Sequence, residues 1–424
     1  MTAGLKTQQL EAYNGIMQFL SPRFNDPQKF FVLRGSAGVG KTYLLGEVIR
    51  NSSRFGSAVC TPTNKATKVA QATIGAGLRC KTIYSLLGVK MVADEDQLVL
   101  KFPHIPVDLS AYDTIYVDES SMLNEEMVDY VVEMSERYAT KWIFIGDPIQ
   151  LPPVGEDDSK VWTLDCPGYH LTEVVRFDNQ ILNLATHIRR QVERFPRVKL
   201  KLDSDHDNTQ GVWKYDRRGW MRNIERGAKR GLFTENDHTK VVAWRNSTVS
   251  ELNEFIRFCI FGREADVKPW LIGDRIMIGE PVQINGATLA HIDDEGTILE
   301  RTVTYHSIYK DLNTFNVTVQ IDEGPAVNLN ILHPDSEQRF QSMLNRMAEG
   351  AKRDAKKWKD FWMLKNSFHK IRYSYAMTTH RVQGSSYENT FVDTQDILAN
   401  ANTYEALRSL YVGCTRSKKM LILV

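Results

Sequence analysis

The segment GSAGVGKT (35–42) constrains the fold of this chain more than any other stretch. It satisfies GxxxxGK[ST] in full. It follows FFVLRG (30–35), a short apolar run ending in glycine, and it leads into TYLLGEVIR (42–50), whose apolar positions have helical spacing. A strand that feeds a helix through a glycine-rich turn is half of a βαβ unit, so the surrounding architecture has to be α/β. The glycines let the backbone curl until its N–H groups face phosphate oxygens. Lys41 adds a point charge for β- and γ-phosphates, and Thr42 offers a hydroxyl to Mg²⁺. The helix that starts there contributes the positive end of its dipole. Gly35, Ser36, Ala37, Gly38, Val39, Gly40, Lys41 and Thr42 are therefore expected to form a nucleotide cradle.

The rest of the first 175 residues agrees with that fold. Residues 5–20 have the spacing of an amphipathic helix. SAVCTPT (57–63) reads as a strand and NKATKVAQAT (64–73) as its helix, while DTIYVDES (113–120) and KWIFIGD (141–147) are further buried strands ending at acidic residues. Near-continuous apolar strands alternating with helices predict a parallel doubly wound sheet, with ligand residues gathered at the carboxyl ends of its strands. A second α/β pattern runs from KVVAW (240–244) through a helix capped by Asn246 or Ser247. It resumes at YSYAMT (373–378), NTFVDT (389–394), a helix over 404–413 and KMLILV (419–424).

Two insertions interrupt the pattern. Residues 88–110 place DED between apolar runs, the signature of a β-hairpin. Residues 276–370 begin with alternating strands and end in a basic helical stretch. Its segment 339–372 carries ten Lys/Arg against three Asp/Glu, with Trp358, Phe361 and Trp362 interleaved. A charge run of this kind is by default a solvated helix face; the other readings are a hold on a nucleic-acid strand or packing against the hairpin. The expected domains are 1–87 with 111–175, the insertion 88–110, 176–275 with 371–424, and the insertion 276–370.

Composition closes off several classes. Over 424 residues, Lys+Arg 53 against Asp+Glu 52 leaves a formal charge of +1, so any nucleic-acid binding has to come from local patches. The five cysteines form no CxxC or Cys/His cluster, which excludes a zinc site or disulfide framework and fits a reducing cytosol. No apolar stretch has the length of a membrane span, and the first 20 residues lack the pattern of a signal peptide.

Further chemistry sits at the other strand ends. In IYVDES (115–120), Asp118 is placed to hold Mg²⁺, largely through water, and Glu119 to polarise an attacking water. GDPIQLPPV (146–154) offers Asp147 and Gln150 for sensing a γ-phosphate or orienting water; by itself it would read as a proline-rich turn. Arg176 in LTEVVRF and Arg416 in YVGCTRS are cations that could face the charge developing in phosphoryl transfer.

The ordered series QQ (8–9), GSAGVGKT, TPTNKA (61–66), DESS (118–121), GDPIQLPPV, LTEVVR (171–176), TTHRVQGS (378–385) and YVGCTR (411–416) resembles the motif set of superfamily 1 helicases. The DESS, GDPIQLPPV and THRVQG forms resemble the 5′→3′, RecD/Dda-like branch. The compact length and both insertions are most similar to phage members of it, and the likeness spans nearly the whole chain. It implies two RecA-like P-loop domains, an SH3-like and helical second insertion, and ATP with Mg²⁺ in a cleft. It implies that Gln9 reads the adenine edge, that Gln150 touches the γ-phosphate, that Arg176 and Arg416 are arginine fingers, and that Gly384 lies at the nucleotide. The DNA contacts it implies are Thr61, Pro62, Thr63, Asn64, Thr82, Tyr84, Thr379, His380, Gln383 and Ser385, with Phe102 on a strand-separating pin formed by 88–110. Tyr84 and Phe102 read equally well as core aromatics. Where many relatives carry an acidic residue this chain has Ser386 and Tyr387, which removes the basis for a carboxylate contact from that loop.

The expectation is thus an ATP-dependent DNA helicase, a DNA-stimulated ATPase translocating 5′→3′ in phage replication or recombination. Its partners would be single-stranded and forked duplex DNA, with a single-strand binding protein or polymerase alongside. It would be monomeric, away from membranes, and in the cytoplasm, the host's if phage-encoded. The alternatives are an RNA helicase, a P-loop switch that ignores nucleic acid, and the motor of a nuclease assembly.

Overall fold

A computed structural model describes residues 4–21, 27–52, 56–75, 77–94, 97–173, 180–284 and 287–424. The first sheet has six strands in the order Cys80–Thr82, Ser57–Thr61, Thr114–Val117, Lys141–Gly146, Phe30–Gly35 and Gly168–Leu171. All five pairings are parallel, with Leu33 opposite Ile145 and Val117 opposite Phe144. Successive strand residues point to opposite faces. Val32, Val117, Trp142 and Phe144 enter one core with the helix Glu125–Arg137, and Phe31, Leu33, Tyr116, Ile143 and Ile145 enter another with Thr7–Leu20 and Lys41–Asn51. Both faces are covered, which is why these strands read as unbroken apolar runs instead of alternating ones.

A second six-stranded sheet has the order Ala376–Thr378, Thr239–Ala243, Tyr387–Val392, Ser417–Leu423, Gly211–Lys214 and Asp205–His206. Gly211–Lys214 and Tyr387–Val392 flank Ser417–Leu423 in parallel, and the short Asp205–His206 strand closes the edge antiparallel. A third sheet, of five strands, is antiparallel throughout: Ala326–Leu332, Asn313–Ile321, Glu295–Tyr305, Arg275–Ile278 and Ile371–Tyr373. Its core is Ile276, Ile298, Phe315, Val317, Val319 and Leu329. The helices Glu337–Arg353 and Trp358–Lys365 meet over a satellite core of Leu312, Phe340, Leu344, Leu364 and Phe368. Lys90–Asp94 and Gln97–Lys101 form an isolated antiparallel hairpin.

The chain divides into two compact units. One comprises residues 1–216, 242–244 and 378–424, the other 217–241 and 245–377. Residues 378–424, expected in one domain with 176–275, group here with 1–216, and the first unit therefore holds every element of the site described below. Two further expectations are corrected. The helix Asn246–Phe261 begins at Asn246 itself, so the cap position falls on Arg245, whose side chain makes no capping bond. YSYAMT (373–378) is two strands, Ile371–Tyr373 in the antiparallel sheet and Ala376–Thr378 in the second sheet. Among the described residues no helix is long and apolar enough to cross a membrane.

Candidate nucleotide site

The cradle turns where its glycines allow. Gly38 and Gly40 have φ of 83° and 77°, a left-handed conformation that costs most residues dearly. Gly40 is the cap residue of Lys41–Asn51, which leaves that helix's first N–H groups to the turn. Lys41 Nζ donates to the Gly35 carbonyl at 2.8 Å and the Ser36 carbonyl at 3.0 Å, so the ammonium lies over the turn. Space matters as much as torsion: a Cβ at Gly40 would stand 2.5 Å from Gln9 Nε2.

That contact gives Gln9 a task other than reading adenine. It is buried, its Nε2 donates to the Val39 carbonyl at 3.0 Å, and its Oε1 accepts from Lys6 N at 3.1 Å. Gln9 braces the cradle from behind. Its neighbour Gln8 takes the backbone N–H groups of Thr172 and Glu173, both at 2.8 Å, tying the first helix to the segment after the last strand. Arg176 lies outside the described residues.

Asp118 and Glu119 follow the central strand Thr114–Val117. Asp118 is buried and accepts from Glu119 N at 2.9 Å and from Thr42. Burial and the neighbouring Glu119 push its carboxyl up to about 6 against the pull of Lys41. Glu119 sits at φ 53°, a strained conformation for a side chain of its kind, and its Oε2 is buried without a hydrogen-bond partner. The Thr42–Asp118 pair and that orphaned oxygen fit a hydrated Mg²⁺. Among the described residues no cluster of three His, Cys, Asp or Glu exists that could hold an ion by itself, so the remaining ligands would be phosphate and water.

The C-terminal helix Thr403–Cys414 closes one side. Its Tyr411 hydroxyl accepts from Ala37 N in the cradle at 3.1 Å and donates to Asp147 Oδ2 at 2.7 Å. Arg189 meets the other oxygen of Asp147 at 3.2 Å. Arg416 is buried, with the Glu119 and Asp147 carboxylates in its field. Its guanidinium donates to the carbonyls of Val412 and Ser385, each at 3.0 Å, and to Thr415 Oγ1 at 2.7 Å. Motifs some 380 residues apart in the sequence thus share one compact unit.

The residues expected to touch a nucleic acid divide by exposure. Thr63, Asn64, Thr82, Tyr84 and His380 are partly exposed; Thr61, Pro62, Thr379, Gln383 and Ser385 are buried. Thr63 caps the helix Asn64–Ile74 and Thr82 caps the turn after it, while burial raises the Tyr84 phenol and lowers the His380 imidazole. Gln383 points into the protein, where its Nε2 donates to Gln150 Oε1 and to the Leu151 carbonyl, each at 3.2 Å. A side-chain contact from Gln383 to a strand is thereby replaced by a link between two loops. Gly384 lies by Ala66 and Thr63, on the side of the expected strand contacts and away from the cradle. Phe102 is half-buried, its ring 4.8 Å from Tyr130 and packed on the first core. Lys65 donates to the Tyr387 hydroxyl at 3.0 Å, joining the two halves at the position where relatives carry an acid.

Sequence reasoning passed over Tyr411 and Arg189. Tyr411 stood inside a quoted motif, and its signal was the spacing of five to Arg416. Arg189 carried no signal, since an arginine on an amphipathic helix is ordinarily solvated.

A strand-turn-helix cradle, an acidic pair at the next strand but one and a buried arginine opposite define a P-loop nucleoside triphosphatase. Residues 5–225, more than half of the chain, match a family described as AAA domain; residues 279–373 match one described as Dda helicase SH3 domain, and 373–424 one described as UvrD-like helicase C-terminal domain. The chain is 26% identical over 458 residues to the ATP-dependent DNA helicase dda of Enterobacteria phage T4, covering 97% of each. It is 24% identical over 501 residues to an uncharacterized protein of Acanthamoeba polyphaga mimivirus, covering 98% of each. Its fold is similar to that in a structure of DNA unwinding at forked dsDNA by two coordinating Pif1 helicases, with TM-score 0.55 and 15% identity over 99% of this chain and 92% of that one. It is also similar to Pif1 helicase from Bacteroides in complex with ADP-AlF3 and ssDNA, with TM-score 0.52 and 14% identity over 97% and 91%. The chain belongs to the superfamily 1 helicases, in their Pif1/Dda-like branch.

Proposed function

We propose that this chain is an ATP-dependent DNA helicase that runs 5′→3′ along single-stranded DNA and opens duplex ahead of it, in replication or recombination of a phage-like genome. The observation that carries this reading is the meeting of cradle, acidic pair and Arg416 in one unit, with Gln383 of the 378–385 loop bonded to Gln150. Lys41 holds the β- and γ-phosphates, Glu119 accepts a proton from the attacking water, and Gln150 orients the γ-phosphate. Arg416, with Arg176, faces the developing charge. Mg²⁺, when bound at Thr42 and Asp118, bridges phosphate oxygens and neutralises their charge. The strand lies across Thr63, Asn64, Thr82, Tyr84 and His380, contacts that ignore base sequence, and the 90–101 hairpin acts as the wedge. Closing the cleft for hydrolysis alternately tightens and loosens the hold on the strand.

The test uses duplexes with one single-stranded tail. The 5′-tailed substrate is expected to be unwound and the 3′-tailed one left intact. Unwinding from a 3′ tail overturns the polarity. Turnover stimulated equally by RNA of the same length assigns the chain to RNA, and no stimulation by either leaves a P-loop switch.

A further inference from the structure

Arg408 has had no role so far, yet at 1% exposure it is the most buried Lys or Arg among the described residues. All five of its N–H groups find acceptors. Nε and Nη2 donate to the Gln150 carbonyl, Nη2 also to the Pro148 carbonyl at 3.1 Å, and Nη1 to the Asp157 carbonyl and Asp158 Oδ1, both at 2.9 Å. Only one of these acceptors is charged, and the Asp158 side chain is 56% exposed. Burying a guanidinium mainly against carbonyl dipoles is costly, and an apolar side chain would fill the space without that cost. What the acceptors share is position: all lie in the 148–158 loop that carries Gln150. The Gln150 side chain reaches the other way, to Gln383. One turn beyond Arg408 the same helix sets Tyr411 on Asp147 and Ala37, and the chain then runs on to Arg416.

We propose that Arg408 is a positioning residue that locks the backbone of Gln150 to the C-terminal helix, so that the γ-phosphate sensor, the strand-contacting loop 378–385 and Arg416 move as one. Strand binding then reaches the hydrolytic site through Arg408. This rests on the helicase reading. Lysine keeps the charge but has three donors and no planar fork, so it cannot hold this set of acceptors.

The test is steady-state ATPase of the full chain with and without saturating oligodeoxythymidylate. In Arg408→Lys, stimulated kcat is expected to fall about tenfold and the stimulation ratio to approach one, with KM for ATP changed less than about threefold. Adding Gln383→Ala should make matters no worse than the more severe single change, since both act through Gln150. A wild-type stimulation ratio in Arg408→Lys, an equal fall in stimulated and unstimulated turnover, or multiplicative effects in the double variant overturns the proposal. If Arg408→Lys does not fold, Asp158→Asn weakens the clamp from its exposed end. A reduced stimulation ratio there supports the role, and an unchanged ratio removes it. A wild-type enzyme indifferent to DNA takes the helicase reading down as well, whereas normal wild-type stimulation with an unaffected Arg408→Lys strikes this inference alone.

Discussion

Lys41 spans the cradle to two carbonyls, so its removal should empty the site of charge without disturbing a core. Lys41→Ala is expected to abolish ATPase activity while leaving the circular-dichroism spectrum and unfolding midpoint as they were; residual turnover near wild type would contradict the cradle assignment. Arg416 is different, because its guanidinium both faces Glu119 and holds three acceptors of its own. Arg416→Ala should lower kcat by about 10³-fold with a much smaller effect on ATP affinity, measured by nucleotide binding at equilibrium. Tyr411→Phe deletes one hydroxyl that serves Ala37 N and Asp147 together. A bond to a charged acceptor is worth about 1.5–3 kcal/mol, and urea unfolding should register a loss of that order.

At the level of elements, the stacking of Phe102 on Tyr130 favours its reading as a core aromatic. Phe102→Ala should then cost about 2 kcal/mol of stability, from the lost aromatic pair and a partial cavity. A denaturation curve checks this; an unchanged midpoint with a selective loss of unwinding would return Phe102 to the fork. A larger cost is expected in the other unit. Arg257 and Asp274 form a buried two-bond pair at 2.9 and 3.0 Å, and Asp274 also takes Tyr375 and Leu271 N. Arg257→Met strands that carboxylate and should destabilise by about 3–5 kcal/mol.

The same elements show what the sequence could reveal. The parallel strands were legible because burial on both faces makes them continuous apolar runs bounded by Gly35, Asp118 and Asp147. The cradle was legible because its chemistry admits few residues. Gly211–Lys214 escaped notice as a four-residue strand whose neighbour, Ser417–Leu423, lies two hundred residues away. The division of 371–378 between two sheets escaped for a related reason, since Ser374 and Tyr375 leave the apolar rhythm intact. Gln9, Gln383 and Gly384 were found as positions and misread as contacts, because a motif records which residues recur and says nothing about which way an amide faces.

For the whole molecule, the two compact units imply two steps of unfolding. A nonhydrolysable ATP analogue with Mg²⁺ at about 100 times Kd should stabilise the unit holding the cradle by about 2.7 kcal/mol and leave the other transition where it was. Calorimetry distinguishes this from a single cooperative shift. With a formal charge of +1, the chain has no overall field to draw in a polyanion, so its grip depends on the local contacts at Thr63, Asn64, Thr82, Tyr84 and His380.

Gln9 and Gly40 occupy the same small volume, one by its amide and the other by its missing side chain. Neither can change size unless the other changes with it. Across descendants of this lineage, those two sites, thirty-one apart, should therefore be inherited as a pair, and a lineage that lengthened one would have to shorten its counterpart.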